Sequence, residues 1–346
     1  MIDPLDIETF HEQRSGPHGK TEHRPYDEGC AKEAGVSLGT VSKVINGIPV
    51  GDEYRKKVEQ AIRTLDYHIN AYAKGLKNNR TYTVAVIMPN LLNPFFSMVA
   101  HYINRALVKH GYRMLLCDTD YDYSKEQEMV QMAEQNKVDG IIALTYNPDL
   151  KISPEVRSVS IDRYLSGSTP CVASDNYNGG RLAAQKLAEN GCKNLAFLRI
   201  GSTLTSETNK RRDGFVAECE ALHLPYTQKI LMDGAPFSEF EQFLQENLKD
   251  RKLAFDGIFC VTDKLAFDII KALRRMGLRV PEDVQVIGYD GLRTFGDQDY
   301  YCSTIVQPVE AMAETCVDLV LGETNPNTPS LLCLPVRYAY GGTTKA

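Results

Sequence analysis

From Thr83 onward the chain alternates short β-branched runs with amphipathic helical stretches, and this rhythm restricts the possible fold more than any other feature. TVAVIMP is a strand signal stopped by Pro89, and PFFSMVAHYINRALVKHGY then places apolar residues at helical spacing up to Gly111. MLLCDTD, EQEMVQMAEQNK and DGIIAL continue the pattern, and NLAFLRI, GFVAECEALH, GIFCV, KLAFDIIKALRRMG and VQVIGYD repeat it. Strands that take turns with helices pair in parallel and are covered on both faces, so the expected class is α/β. Roughly 250 residues of alternation are too many for one sheet, and two doubly wound parallel sheets are expected.

Upstream the spacing changes. Ala31 and Ala34, then Val41, Val44 and Ile45, then Val58, Ala61, Ile62 and Leu65 recur at helical intervals, which implies three short helices. In GVSLGTVSKVIN, residues 35–46, Gly35 can take a positive φ and Ser37 is placed to cap a helix over 38–46. Gly47, Pro49 and Gly51 end that helix. Two short helices joined by a tight turn suit a helix-turn-helix, whose second helix lies in the major groove of DNA. A helix pair that merely braces a larger fold is the plainer alternative.

Charge weighs between them. The net charge of −6 argues against a protein that coats nucleic acid, but residues 31–80 hold nine Lys and Arg against five Asp and Glu. Residues 1–30 hold three bases and seven acids. A basic module on an acidic body fits a DNA reader joined to something else. The nine cysteines are scattered, without a C-x-x-C pair, and read as reduced core thiols. No run of eighteen apolar residues and no secretory signal is present, so a cytoplasmic protein without a membrane partner is expected. Acidic residues near a cleft could suggest hydrolase chemistry, but G-x-S-x-G, H-E-x-x-H, Walker A and G-x-G-x-x-G motifs are all missing and the seven histidines are isolated. An enzyme is not expected, nor a cofactor or a metal site.

Nine stretches in order resemble the LacI family of bacterial transcription regulators: AKEAGVSLGTVSKVIN, RKKVEQAIRTLDYHINAYAKGL, IMPNLLNPFF, SIDR, SDNYNGGRLAAQKL, RRDGF, VTDKLAF, LRVPEDVQVIGYDG and STIVQP. The likeness covers residues 31–346 and runs nearest to sugar-responsive members of sucrose and ribose type. It implies a helix-turn-helix domain over 30–69, a hinge helix over 70–81 and a two-lobed core over 82–346 that resembles periplasmic binding proteins. The first lobe is expected over about 82–173 and 291–335, the second over about 174–290 and 336–346. A homodimer is implied. The chain has no leucine-heptad tail, which favours a dimer over a tetramer.

The resemblance also assigns residues. Its DNA-contacting set is Ser37, Leu38, Gly39, Thr40, Ser42, Lys43 and Asn46, with Asn70, Tyr72, Ala73 and Leu76 in the hinge. Leu38 offers an apolar surface to a thymine methyl, and Lys43 can donate to guanine O6 and N7. Leu76 stands at the position of a minor-groove wedge, although a short linker with a buried leucine is the plainer reading. The implied partner is a pseudo-palindromic double-stranded operator.

A small sugar or sugar phosphate is the implied effector, held between the lobes at the carboxyl ends of the strands. Asn93, Phe95, Phe96, Asp162, Arg163, Arg211, Thr262, Asp263 and Asp290 are its candidate contacts. Arg211 and Asp290 would clamp hydroxyls, and Phe95 or Phe96 would stack on a ring. Asp175 and Asp263 could instead cap helices, and Phe96 could be plain core.

One departure stands out. Family members open their first helix with a motif like T-I-x-D-V-A, where this chain has Asp27 at a core isoleucine position and Gly29 at that of a helix former. A badly formed first helix after a disordered leader, 1–29, is therefore expected. It leaves open a sugar sensor with impaired DNA binding.

Overall fold

The computed structural model describes residues 26–45, 48–65, 80–165, 169–201, 205–294, 299–322 and 329–345. The chain forms two compact units, 1–74 and 75–346. In the first, helices α1 (Tyr26–Ala34), α2 (Leu38–Ile45) and α3 (Asp52–Thr64) enclose a small core of Cys30, Ala31, Ala34, Val41, Val58 and Ala61. Gly35 takes φ +62°, which lets the chain turn sharply between α1 and α2. The Ser37 hydroxyl accepts from the Thr40 amide at 3.2 Å, so the expected N-cap is in place.

The expectation of a badly formed first helix is corrected. Helix α1 starts at Tyr26, inside the expected leader, and residues 1–25 lie outside those described. One stripe of small side chains, Cys30, Ala31 and Ala34, is enough to seat this helix. Gly29 faces solvent, with nothing near the place a Cβ would occupy. Its cost is thus one of propensity and not of packing. Gly29→Ala is expected to stabilise this unit by about 1 kcal/mol, about fivefold in the hydrogen-exchange protection of its helical amides. Protection that stays the same or falls would show that the glycine is needed.

The second unit alternates as expected: β1 (Thr83–Met88), α4 (Pro94–Lys109), β2 (Arg113–Asp118), α5 (Tyr123–Gln135), β3 (Gly140–Ala143), β4 (Ser158–Ile161), β5 (Cys171–Ser174) and α6 (Asn176–Glu189). It continues through β6 (Leu195–Ile200), α7 (Lys210–Ala221), β7 (Tyr226–Leu231), α8 (Ser238–Glu246), β8 (Leu248–Lys249), β9 (Lys252–Leu253), β10 (Gly257–Cys260) and α9 (Asp263–Arg275). Last come β11 (Gln285–Asp290), β12 (Ser303–Val306), α10 (Val309–Leu321), β13 (Leu331–Leu334) and β14 (Arg337–Ala339).

Two six-stranded sheets result, ordered β13-β5-β4-β3-β1-β2 and β14-β12-β11-β10-β6-β7. All pairings in them are parallel except β12 with β14. The chain passes between lobes after β5, after β12 and between β13 and β14. This corrects the expected lobe boundary. β12 falls within the expected first lobe, but Ser303 to Val306 pair with Ile287 to Asp290 of β11 in the second. The crossing falls at Gln307 and Pro308, after which α10 packs Met312, Cys316 and Val317 into the first-lobe core.

Helices α6 and α7 lie closer than ordinary helix pairs allow. A Cβ at Gly180 would overlap the Arg211 carbonyl, and one at Gly214 would overlap the Tyr177 carbonyl. Eight cysteines are buried free thiols, and Cys333 on β13 is exposed. Among the described residues no helix is long and apolar enough to cross a membrane.

Candidate functional site

In the helical unit, Val41 is buried against the other helices while Leu38, Gly39 and Lys43 are exposed and Thr40 and Ser42 half-exposed. Leu38 is 48% exposed at the start of α2, although its unit has a core to receive it. Leu38 in the first turn and Lys43 in the last thus leave an apolar and a basic side chain exposed on α2. Asn46 and the hinge residues Asn70, Tyr72, Ala73 and Leu76 lie outside the described residues.

In the core unit, a cleft opens where strands of both sheets end. β1 leads to Asn93, Phe95 and Phe96; β4 to Asp162 and Arg163; β10 to Thr262; β11 to Asp290; and Arg211 enters from α7. Eight of the nine sequence candidates therefore share one cleft, about 640 Å³ of atom-free space with its solvent-open mouth included. Strands in parallel sheets all end on the same edge, so residues far apart in sequence meet there. Several of them also start helices. The Asn93 side chain accepts from the Phe95 amide at 3.1 Å, and the Thr262 hydroxyl accepts from the Leu265 amide at 3.2 Å. Asp175 caps α6 in the same way, its carboxylate accepting from the Asn178 amide at 3.1 Å.

Arg211, 3% exposed, organises the floor. Its Nε donates to Asn176 Oδ1 at 2.7 Å, its Nη1 donates to the Val261 carbonyl at 2.8 Å, and Asp290 lies 3.7 Å away. The guanidinium sits 3.6 Å from the centre of the Tyr289 ring. Burial pushes the carboxyls of Asp162 and Asp290 up, against the opposing pull of Arg211. Asp290 also accepts from Gln307 Nε2 at 2.8 Å, and Gln307 Oε1 is buried without a protein donor. Such an array of fixed donors and acceptors can grip adjacent hydroxyls in one orientation.

Phe95 and Phe96, 5% and 4% exposed, line the cleft but belong mostly to the first-lobe core, edge to face at 5.9 Å. Only their margins are offered to a ligand. Asp263 is a correction: it is not part of the cleft. Its carboxylate accepts from Thr304 Oγ1 at 2.6 Å and the Leu292 amide at 2.7 Å, and burial pushes its pKa up to about 6. It braces β12 and the turn after β11, and capping α9 falls to Thr262 instead.

Sequence reasoning missed Tyr146, Arg199, Thr208 and Asp233, which also line the cleft. A signal existed for Arg199, a charge inside the apolar strand run LAFLRI. Asp233 follows β7, whose mixed YTQKIL run does not announce a strand. The lobes also touch through the Arg163–Ser206 backbone bridge and through Tyr164, whose hydroxyl donates to Glu207.

Comparison with known proteins places this geometry. Residues 29–70 match the family described as bacterial regulatory proteins, lacI family, and residues 184–344 match a periplasmic binding protein-like domain. A sucrose operon repressor from Pediococcus pentosaceus is 34% identical over 330 residues, covering 92% of this chain and 99% of that protein. A ribose operon repressor from Bacillus subtilis (strain 168) is 32% identical, covering 91% and 97%. Among solved structures, the transcriptional regulator CelR in complex with cellobiose is similar at 27% identity, TM-score 0.64, covering 92% of this chain and all of that one. The lac repressor dimer bound to operator and an anti-inducer shares the fold at TM-score 0.76 and 22% identity, covering 92% and 98%.

Proposed function

Because the chain belongs to the lacI family of bacterial regulatory proteins, we propose that it reads an operator with α2 and changes its affinity when a sugar fills the cleft between its lobes. It is a sequence-specific DNA-binding regulator of carbohydrate genes. The relatives are named as operon repressors, and repression is the proposed direction of control. The observation that carries the reading is the convergence of Asn93, Asp162 and Arg163 from one lobe with Arg211, Thr262 and Asp290 from the other. A ligand that touches both lobes alters their relative stability of closure. If closure also changes how two copies present their α2 helices, sugar and operator affinities are coupled reciprocally.

In this reading Leu38, Gly39 and Lys43 meet base edges, with Thr40 and Ser42 at base or phosphate, and two copies read two half-sites. Leu76 and its neighbours Asn70, Tyr72 and Ala73 engage the minor groove. Arg211 and Asp290 clamp hydroxyls, and no catalytic role is assigned to either. The alternative of a sugar sensor with impaired or no DNA binding rests on an altered first helix, and the formed α1 supports the DNA reading instead.

The test is selection of the full-length protein on a randomised duplex pool. Enrichment of a pseudo-palindromic site, with affinity shifted at least tenfold by one sugar of a panel, is the expected result. No enrichment from a folded protein would remove the DNA reading.

A further inference from the structure

Crossings between the lobes follow β5 and β12 and join β13 to β14, and these four strands stand together at one end of their sheets. The hinge is at that end. Lobe-to-lobe contacts already made lie toward it: the Arg163–Ser206 bridge, Arg163 Nη1 to Thr208 Oγ1 at 2.7 Å, and Tyr164 to Glu207. β2 and β7 are the opposite edge strands of the two sheets, so rotation about the hinge moves the loops after them furthest.

The loop after β2 is built to hold a side chain still. Asp120 and Tyr121 take φ +49° and +59°, a left-handed pair that is uncommon outside glycine and marks a backbone fixed by its surroundings. The Tyr121 amide donates to the Pro89 carbonyl at 2.8 Å, the Asp122 amide to the Thr119 carbonyl at 2.9 Å, and Asn90 Nδ2 to Asp120 Oδ1 at 2.7 Å. Tyr121 is thereby held against Tyr146, a cleft residue, with ring centres 5.8 Å apart. Tyr123 follows at the start of α5. Both tyrosines are exposed, and neither hydroxyl has an acceptor among the described residues.

Asp233 follows β7 and lines the same cleft from the second lobe. It is exposed, and no hydrogen bond or ion pair among the described residues includes it. Its field reaches the first lobe. Burial first, and then Tyr146 and Asp233, push the Tyr121 hydroxyl up to about 12, and burial followed by Asp233 raises that of Tyr123. Both therefore stay neutral donors. The other charges nearby have partners of their own: Arg199 Nη2 donates to Asn209 Oδ1 at 2.6 Å, Arg163 donates to Thr208, and Glu126 is held by Thr145 and Asn147. An acceptor on one lobe thus faces two donors on the other, at the edge where closure narrows the gap most.

Resting on the sugar reading above, we propose that Asp233 is a positioning residue for closure: as the lobes shut on a ligand, its carboxylate accepts hydrogen bonds from the Tyr121 and Tyr123 hydroxyls and latches the mouth. Hydrogen bonds to a charged acceptor are stronger than neutral ones, and the Tyr121 loop is ordered before the ligand arrives, so little freedom is lost on closing. The latch joins protein to protein and acts on whichever sugar fills the cleft.

Calorimetric titration of the full-length protein with sucrose, glucose, fructose, ribose and cellobiose and their phosphate esters selects the sugar for the test. Tyr121→Phe combined with Tyr123→Phe is expected to raise its Kd about tenfold, and Asp233→Asn to raise it by a similar factor. All three substitutions together are expected to weaken binding no more than either set alone, because the same contact is lost each way. The Phe pair keeps both rings, so the melting temperature of the free protein is expected to stay unchanged. Deuterium uptake by the amides of residues 119–122, slowed by the sugar in the wild type, is expected to remain fast in the variants. Weakening by Asp233→Asn with no effect of the Phe pair would make Asp233 a direct sugar contact and overturn the latch. Weakening by the Phe pair alone, or factors that multiply in the triple variant, would overturn it as well, since separate contacts act independently. Unchanged affinity in every variant would overturn the latch and leave the sugar reading standing. Binding of no member would remove the sugar reading and the latch with it.

Discussion

Arg211→Ala is expected to abolish sugar binding and to destabilise the core unit by about 3 kcal/mol. The large effect follows from what the guanidinium does at once. It holds Asn176, the Val261 carbonyl and Asp290, and covers the Tyr289 ring. Its removal leaves the buried Asp290 without its cation and Asp162 with Arg163 alone, and their carboxyls, already raised by burial, rise further. A carboxyl whose pKa is higher folded than unfolded resists folding once it must ionise. The deficit is therefore expected to be small near the ordinary carboxylate range and to grow as pH rises through the elevated value. Arg211→Lys keeps a charge but cannot reach Asn176 and Val261 together, and is expected to restore stability more than sugar binding. Urea titrations at about pH 5 and about pH 8, with thermal shifts by the sugar found active on wild type, check both parts. Full retention of the thermal shift in Arg211→Ala would move the ligand elsewhere.

Gly180→Ala and Gly214→Ala are each expected to cost about 3 kcal/mol, large for one methyl group. At both positions the added carbon meets a backbone carbonyl, which cannot rotate away as a side chain would. The α6 and α7 helices must separate, and the carbonyl displaced by Gly180→Ala belongs to Arg211 itself. Loss of sugar response at temperatures where the variant remains folded should accompany the loss of stability. Unfolding free energies from urea titration within about 1 kcal/mol of wild type for both variants would show that the helix pair yields easily.

Much of the cleft was legible because strand ends can be read locally. TVAVIMP, GIFCV and VQVIGYD became β1, β10 and β11, and the polar residues at or just after their ends fell into the cleft. Parallel pairing turns "just after a strand" into "at the same edge", so one-dimensional position carried three-dimensional meaning. The reading failed where two neighbouring residues compete for one role. Thr262 and Asp263 both suit a helix start, and local backbone geometry gave the cap to Thr262 and sent Asp263 into the core.

Gly29 shows the converse error. The resemblance implies a helix former at that position, but the position faces solvent, where tertiary packing asks little of it. Propensity alone overstated its damage, since the buried stripe of α1 decides whether the helix docks.

By itself the sequence determined the class of fold, the helix-turn-helix near one end and most of the residues that meet in the cleft, because periodicity, caps and strand ends are short-range properties. Tertiary structure alone decided which lobe owns β12, since a four-residue run like STIV carries no mark of its pairing partner. It also decided that Arg211 would stand beside Asp290, and that Arg163 would be left with a buried donor and no protein acceptor. Charge balance in a buried cleft depends on distances of a few ångströms between distant segments, and those distances exist only once the sheets have formed.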